Sequence, residues 1–176
     1  VQILSFSFVI GFGFSIAGAT LVGQHLGAQN KDQAKRAGWG AMRLSIISMT
    51  FFGIVIVAFA EPLARFMIDN DEVVRLTVIF IWLLGSMQPL MAIEFSLGGA
   101  LRGAGDTKTP LVITLTCLLF IRVFLAAVFF LLDASIEIIF STLLADYIVK
   151  GFLYVSRFKS DRWMNVLKIK EVDQQL

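Results

Sequence analysis

Three long stretches of this chain carry no charged side chain, and they constrain its fold more than any other feature. They cover residues 1–30, 44–60 and 76–93. A helix needs about 20 apolar residues to cross about 30 Å of hydrocarbon, so stretches of this length are typical of membrane-spanning helices. Alternation of period two is absent, and the runs are longer than the roughly 10-residue strands of a membrane barrel. The pattern therefore predicts an all-α, polytopic bundle of transmembrane helices.

The composition agrees with a membrane protein and excludes several other classes. Hydrophobic residues make up 57% and charged residues 16% of the 176 residues, against roughly 45–50% and about 25% in soluble domains. A net charge of +2 is too small to indicate a nucleic-acid partner. The single histidine, His25, and the single cysteine, Cys117, provide neither a metal site nor a nucleophile–base pair. We therefore expect no enzyme activity, no metal and no cofactor.

Residues that end helices divide the chain into five predicted spans. The spans cover about residues 1–23, 41–60, 75–100, 109–131 and 136–156. Prolines, glycines and acidic residues lie at the joints between them, as is typical of helix ends. We expect a transmembrane domain over residues 1–158 and a tail over residues 159–176. Because Trp163 and Met164 stand among basic residues, the tail is predicted either to lie on the inner leaflet or to be solvated.

The basic residues are distributed unevenly among the connections between these spans. Eleven lie in the first connection, the third connection and the tail, whereas the second connection holds only two, Arg65 and Arg75. Lys and Arg are enriched on the cytoplasmic side of membrane proteins. We therefore expect the C-terminus to be cytoplasmic. Since Val1 already lies in an apolar run, we also expect an upstream part, in which one more span would complete a six-helix unit.

Three charged residues are predicted to lie at membrane depth, namely Glu94, Arg122 and Asp146. Such residues are costly in a bilayer and mark a pathway, a relay or an ion pair. Arg122 and Asp146 are each 12 residues from Ala134, in the middle of the fourth connection. In an antiparallel hairpin this spacing gives them equal depth, about 18 Å of helix from the turn. We therefore expect an Arg122–Asp146 ion pair, either structural or broken and remade during transport.

Glu94 is the predicted cation-binding residue. Gln88 and Pro89 lie near the middle of the same span, and Met91 is predicted to share a face with Glu94. Pro89 removes one backbone hydrogen bond and is expected to kink the helix. A polar residue, a kink and a carboxylate within two turns are typical of a substrate or ion site in a broken helix. The alternative is that Glu94 pairs with Arg102 or with a backbone donor.

Glycines recur at the ends of the first and third spans. Gly23-x-x-x-Gly27 and Gly99-x-x-x-Gly103 are spacings that let membrane helices approach closely, so they indicate packing. Residues 103–108 superficially look like a phosphate loop. They lack the glycine–lysine spacing of that loop and no strand precedes them, which excludes nucleotide binding.

Two stretches together resemble the multidrug and toxic compound extrusion (MATE) transporters. The first reads ATLVGQHLGA over residues 19–28, followed by Lys35 and Ala37. The second reads GALRGAGDTKTP over residues 99–110 and is the more specific of the two. The similarity covers nearly the whole chain, although His25 stands where the family pattern has asparagine.

The resemblance implies the C-terminal lobe of a transporter whose twelve helices form two lobes. The five spans would be helices eight to twelve, with the N-terminal lobe missing. Na+ or H+ entry would drive the export of cationic, amphipathic compounds by alternating access, with no cofactor beyond the coupling ion. Glu94 lies on the helix that carries a cation-coupling acid in some members. It is about one turn nearer the cytoplasm than the usual position, which Met91 occupies here.

The resemblance also implies a cytoplasmic elbow between two helices of the lobe. Its glycines and a cap from Asp106 and Thr107 would set the elbow angle. We expect this block to stabilise the fold and not to contact substrate. The elbow residues are Arg102, Gly103, Gly105, Asp106, Thr107 and Pro110.

Two other functions compete with that of a cation-coupled drug exporter. A lipid-linked glycan flippase of similar architecture would line its cavity with several bases, whereas Arg122 is the one base predicted at mid-depth. A non-transporting membrane scaffold would have no need of Glu94 and Gln88 beside a proline in mid-span. The expected partners are therefore an organic cation, the lipid bilayer and the missing lobe.

Overall fold

The computed structural model describes residues 2–67, 70–132 and 136–166, and every regular element among them is helical. The elements are α1 (Gln2–Gly27), α2 (Lys31–Ala58), α3 (Ala60–Met67), α4 (Asp71–Gly103), α5 (Lys108–Thr116), a π-helical segment (Cys117–Val123), α6 (Phe124–Leu131), α7 (Ile136–Lys159) and a 3-10 turn (Arg162–Asn165). The predicted all-α membrane bundle is confirmed.

Among the described residues, four helical stretches are long and apolar enough to cross a membrane. They are Ser7–Gly27, Lys31–Ala58, Asp71–Gly103 and Lys108–Leu131. Helix α7 covers the predicted fifth span with 24 residues, and its crossing of the bilayer stays a prediction. Helix α2 begins ten residues before the predicted second span, because the Asn30 side chain caps it by accepting a hydrogen bond from the Gln33 backbone N–H at 3.1 Å.

Helix α4 is continuous over its 33 residues with Pro89 inside it, and the kink expected at Pro89 stays a prediction. The helical pattern changes in the fourth span, where a π-helical segment follows α5. Pro89 has no N–H for the carbonyl of Gly85, one turn earlier. Gly53 of α2 packs directly on that carbonyl, since a Cβ at Gly53 would lie 2.9 Å from the Gly85 oxygen. Close contact with α2 thus occupies the position that the missing hydrogen bond leaves open.

The Gly99-x-x-x-Gly103 motif forms the closest helix contact with α1. A Cβ at Gly99 would collide with the carbonyl oxygen of Ser15, and one at Gly103 with that of Ala19. Gly23 of α1 faces Gly103 in turn, whereas nothing lies within 4 Å of a Cβ at Gly27. Both glycines of the α4 motif, and Gly23 of the α1 motif, therefore lie at close helix contacts, as their spacing indicates.

The three basic segments of the chain lie together at one end of the bundle, which we call the basic end. Lys35 near the start of α2 pairs with Asp161 of the tail at 2.6 Å. Arg157 near the end of α7 pairs with Asp106 of the α4–α5 connection, also at 2.6 Å. The charge asymmetry read from the sequence therefore corresponds to a real clustering in space.

The described part of the tail folds back onto the bundle, which corrects both expectations for it. Trp163 is completely buried, stacks on Phe158 at 4.6 Å and donates its indole N–H to the Phe158 carbonyl. Trp39 of α2 packs edge-on against the same Phe158 ring. Trp163 is therefore buried among aromatic side chains at the basic end and is in contact with neither lipid nor water. Residues 167–176 lie outside the described residues.

Substitution of alanine for Gly99 and Gly103 tests the α1–α4 contact. The double variant should melt several degrees below the wild type, because each added methyl must push apart two backbones at about 1–3 kcal/mol. Gly13→Ala is the matched control, since nothing lies within 4 Å of a Cβ at that position in α1. Thermal unfolding of the full-length protein in detergent measures the shift. Equal melting of the two variants would contradict this packing.

Candidate functional site

A cluster of three charged side chains lies between α4 and α7. Lys150 Nζ is 2.9 Å from Asp146 Oδ2 and 3.8 Å from Glu94 Oε1. The exposed fractions of the side chains are 5% for Lys150, 0% for Asp146 and 21% for Glu94. With both carboxyls ionised, two carboxylates and one ammonium give these three side chains a formal net charge of −1. We call these three residues the charged cluster.

Helix geometry explains how the cluster forms. Asp146 and Lys150 are four residues apart on α7 and therefore lie one above the other on the same face. The face of α4 that carries Glu94 packs against them. The ammonium also lies over the Tyr147 ring, with Nζ 5.2 Å from the ring centroid, which adds a cation–π contact.

The predicted Arg122–Asp146 pair is not formed, and Asp146 pairs with Lys150 instead. Arg122 is exposed and has no ion pair within the described ranges. Equal distance from a turn predicts equal depth, but it does not predict which face a side chain occupies. The π-helical segment around Arg122 has more residues per turn than an α-helix. The Arg122 side chain therefore lies on a different face of the span from the one that regular α-helical spacing predicts.

Lys150 is the residue of the charged cluster that the sequence analysis did not predict, although it lies within the predicted fifth span. The signal was present, because an acid and a base four residues apart on an apolar helix form an ion pair that lowers the cost of both charges.

The structure does not bring Gln88 to Glu94. Gln88 is buried on the other side of α4, where its amide donates to Ser7 Oγ of α1 at 2.9 Å. Met91 is buried in an apolar group with Met49 and Met87, against which Tyr147 of α7 packs. Of the three residues predicted for the substrate or ion site, only Glu94 lies in the charged cluster.

Arg102 does not pair with Glu94 either. Its guanidinium donates to Ser15 Oγ of α1 at 2.9 Å, at the same crossing where Gly99 packs. Glu94 therefore faces Lys150, and Arg102 joins α4 to α1 near the basic end.

The elbow between α4 and α5 is built as a helix end followed by a cap. The N–H of Gly105 bonds to the Arg102 carbonyl and that of Asp106 to the Leu101 carbonyl, which closes α4 in a Schellman motif. Gly105 has φ 82°, a conformation that a residue without Cβ adopts at little cost. The close approach of Gly103 to Ala19 holds the helix end against α1.

Asp106 carries the cap of α5, whereas Thr107 makes no capping hydrogen bond with its side chain. The Asp106 carboxylate accepts from the Thr109 N–H at 3.2 Å and from the Thr109 hydroxyl at 3.0 Å. Arg157 of α7 donates two further hydrogen bonds to it, at 2.6 and 3.0 Å. The Pro110 carbonyl accepts from the Tyr154 hydroxyl at 3.4 Å. The elbow is thus tied to the end of α7, which the motif alone did not predict.

Burial by itself would raise the pKa of Asp106, but the hydrogen bonds from Arg157 and Thr109 outweigh it and lower the pKa below its ordinary value. A carboxyl whose pKa is lower in the folded state stabilises that state above its ordinary pKa. The stabilisation is then lost as the pH falls through the folded-state pKa.

Asp106→Asn tests this tie between the elbow and α7. At pH 7 the variant should be less stable than the wild type by about 1–3 kcal/mol, because a hydrogen bond to a charged group is lost. The difference should narrow only below about pH 4, where the wild-type carboxyl is itself protonated. Melting temperatures of the full-length protein between pH 7 and pH 3 measure it. Asp32→Asn, an exposed acid on α2, is the control, and a gap that stays constant with pH would contradict the pairing.

The comparisons with known proteins identify the family. The MatE family model matches residues 1–128. The chain belongs to the MatE family. The resemblance seen in residues 19–28 and 99–110 is confirmed.

Several curated relatives show the same membership. The chain is 33% identical over 172 residues to "Probable multidrug resistance protein NorM" of Thermotoga maritima, covering 93% of the chain and 35% of that protein. It is 32% identical over 117 residues to the Mesorhizobium japonicum protein of the same name, covering 64% of the chain and 25% of that protein. It is 25% identical over 107 residues to mouse "Multidrug and toxin extrusion protein 2", covering 61% of the chain and 19% of that protein. The chain spans about a third or less of the length of these relatives.

Lys150→Met tests the charged cluster as a structural unit. The variant should lose about 3–5 kcal/mol of stability, because it leaves the buried Asp146 carboxylate without its partner. Adding Asp146→Asn should recover most of that loss. Arg122→Gln, which removes an exposed base of the neighbouring span, should be tolerated. Melting temperature and expression of the full-length protein are the readouts, and an Arg122→Gln protein as unstable as Lys150→Met would contradict the assignment.

Proposed function

We propose that this chain is part of a secondary active antiporter that exports cationic, amphipathic drugs or metabolites in exchange for Na+ or H+ by alternating access. The proposal is supported by MatE membership and by relatives named for drug resistance and toxin extrusion, none of the three being named as an enzyme. The observation that carries it is the negative charge left over in the charged cluster.

The two acids of the cluster have different tasks in this proposal. Asp146 is fully buried and 2.9 Å from Lys150, so it forms the fixed half of the ion pair. Glu94 is farther from the ammonium, at 3.8 Å, and is partly exposed. Because an unpaired charge is costly at membrane depth, Glu94 is the carboxylate that takes up a further cation.

A single carboxylate also accounts for exchange. A proton, a Na+ ion or the positive group of a substrate can each neutralise Glu94, but two of them cannot do so together. Asp146 Oδ2 faces the Lys150 ammonium, whereas Oδ1 receives no hydrogen bond from the described residues and would be a further ligand for Na+. Competition for one charge then couples entry of the ion to release of the cargo.

The same charge balance favours an organic cation over an anionic cargo. A lipid-linked glycan carries phosphate, which a cluster with net negative charge repels. Lys150, the additional base at this depth, is already held by Asp146. A scaffold that does not transport would gain nothing from three charges between two apolar helices.

We further propose how the chain is placed in the cell. The basic end faces the cytoplasm, in accordance with the enrichment of Lys and Arg on that side of membranes. An upstream segment supplies the remaining helix of this lobe and a second lobe, and the substrate path lies between the lobes. The membrane is the plasma membrane, the inner membrane in a bacterium.

Glu94→Gln in the full-length protein tests the proposed role of the carboxylate. The variant should lose efflux of a cationic dye from intact cells while its expression stays at the wild-type level, because the amide cannot bind a cation by charge. Glu72→Gln, an exposed acid in the first turn of α4, is the matched control and should transport normally.

The coupling ion is identified with the purified protein in vesicles. A pH gradient or a Na+ gradient is imposed separately, and dye movement is followed for the wild type and for Glu94→Gln. Coupling to either gradient in the wild type and to neither in the variant supports the proposal. Efflux by Glu94→Gln equal to that of the wild type would remove Glu94 from the mechanism.

A further inference from the structure

A shallow groove runs along the exposed side of α2 at the basic end. Its volume is about 620 Å³, and all of its lining comes from the first turns of this one helix. The lining residues are Asp32, Lys35, Arg36, Trp39, Gly40 and Arg43. The groove is more than 40 residues away in sequence from the charged cluster, and the proposed transport mechanism makes no use of it.

The groove offers two arginines that form no ion pair with an acid of the described residues. Lys35 is held by Asp161 of the tail at 2.6 Å. Arg36 and Arg43 lie seven residues apart, so they share one face of α2 with about 10 Å between their Cα atoms. Neither forms an ion pair or a hydrogen bond in the part of the chain that the structure describes. An anionic group at this site would therefore meet two available guanidinium groups.

Gly40 provides the space for such a group. It is exposed and lies on the same face, one turn from each arginine, and nothing is found within 4 Å of the position where its Cβ would stand. Asp32 is the one acid in the lining and opposes binding of an anion. The groove therefore has a guanidinium group at each end, from Arg36 and Arg43, and open space over Gly40 between them.

The same face of α2 becomes entirely apolar beyond the groove. Leu44, Ile47, Phe51 and Ile54 follow one another at three- and four-residue spacing, and each is more than half exposed. Where α4 meets a neighbouring helix, by contrast, the contacts are made at glycines such as Gly99 and Gly53. Large side chains without polar neighbours are typical of a surface that faces acyl chains, whereas small residues mark helix–helix contacts.

Trp39 lies at the boundary between the two parts of this face. Its ring packs edge-on against Phe158 at 5.4 Å and also lines the groove. Tryptophan is enriched at the level of the lipid headgroups, where one side of the ring is apolar and the other is hydrated. The headgroup region is thereby placed at Trp39, between Arg36 and Arg43.

We propose that this face of α2 binds an anionic phospholipid, with the headgroup phosphate between Arg36 and Arg43 over Gly40 and the acyl chains along residues 44–54. Along this face the two arginines and the space over Gly40 come first and the apolar side chains follow. A phospholipid has its charged headgroup and its acyl chains in the same order. Basic pockets beside membrane helices select anionic headgroups by this chemistry. The proposal is independent of the transported substrate and of the coupling ion.

Lipid affinity of the purified full-length protein tests the proposal. Native mass spectrometry with added phosphatidylglycerol or phosphatidylcholine measures the dissociation constant of each lipid. Removing one arginine near a bound headgroup weakens binding about fivefold, so Arg36→Gln with Arg43→Gln should weaken phosphatidylglycerol binding about 25-fold. Phosphatidylcholine binding should not change. Arg75→Gln, an exposed arginine in the second connection, is the matched control.

Two further variants separate the site from general charge effects. Gly40→Leu keeps every charge and should block phosphatidylglycerol by filling the gap. Asp32→Asn should tighten phosphatidylglycerol binding severalfold by removing the opposing charge. Unchanged phosphatidylglycerol affinity in the double arginine variant or in Gly40→Leu would overturn the proposal.

A last pair of measurements excludes other occupants. Free glycerol phosphate should not displace the lipid, because it lacks the chains that lie on the apolar stripe, and displacement would show a phosphate site instead. A photo-crosslinker placed on Gly40→Cys should label lipid in membranes. Labelling of the upstream segment of the protein would show that a protein surface covers the groove, and would overturn the proposal.

Discussion

The bundle depends on how closely α4 approaches its neighbours. In a bilayer the hydrophobic effect does not pull helices together, because lipid is as apolar as leucine, so association rests on van der Waals contact and on buried polar pairs. Helix α4 meets these needs on several sides. Gly99 and Gly103 let it touch the backbone of α1, and Gly85 does the same towards α2. Towards α7 the contact is ionic, because Glu94 of α4 pairs with Lys150.

Helix α7 is held to the rest of the lobe by ionic contacts at two levels. In the body of the bundle, the Lys150 ammonium pairs with Asp146 of its own helix and with Glu94 of α4. At the basic end, Arg157 bonds to Asp106, which also caps α5. The two contacts differ in their balance of charge. The elbow pair is neutral and serves the fold, whereas the charged cluster retains a formal negative charge, on which the proposed cation site rests.

The fold was largely predictable from the sequence, and the site was predictable in part. Charge-free runs and helix-ending residues were sufficient for the helices, since hydrocarbon thickness sets their length. Glu94 was singled out because a carboxylate is costly at membrane depth. Lys150, which pairs with both Asp146 and Glu94, was not predicted, because the antiparallel argument concerned depth alone and paired Asp146 with Arg122. Pro89 and Trp163 show the same limit. The Gly85 carbonyl, which loses its hydrogen bond because of Pro89, packs against Gly53 of α2, and Trp163, which was expected to meet lipid or water, packs against Phe158. No local pattern reveals either contact.

The sequence by itself determined that the chain is a helical membrane bundle, where its long helices lie and that its basic segments share one side. These properties follow from local quantities, namely the length of an apolar run and the charges of its flanks. Only the tertiary structure decided which charges meet, which glycines touch a backbone and which residue caps the elbow. Those outcomes depend on the rotation of each helix about its own axis. That rotation is set by packing against other helices, and a π-helical segment such as Cys117–Val123 alters it.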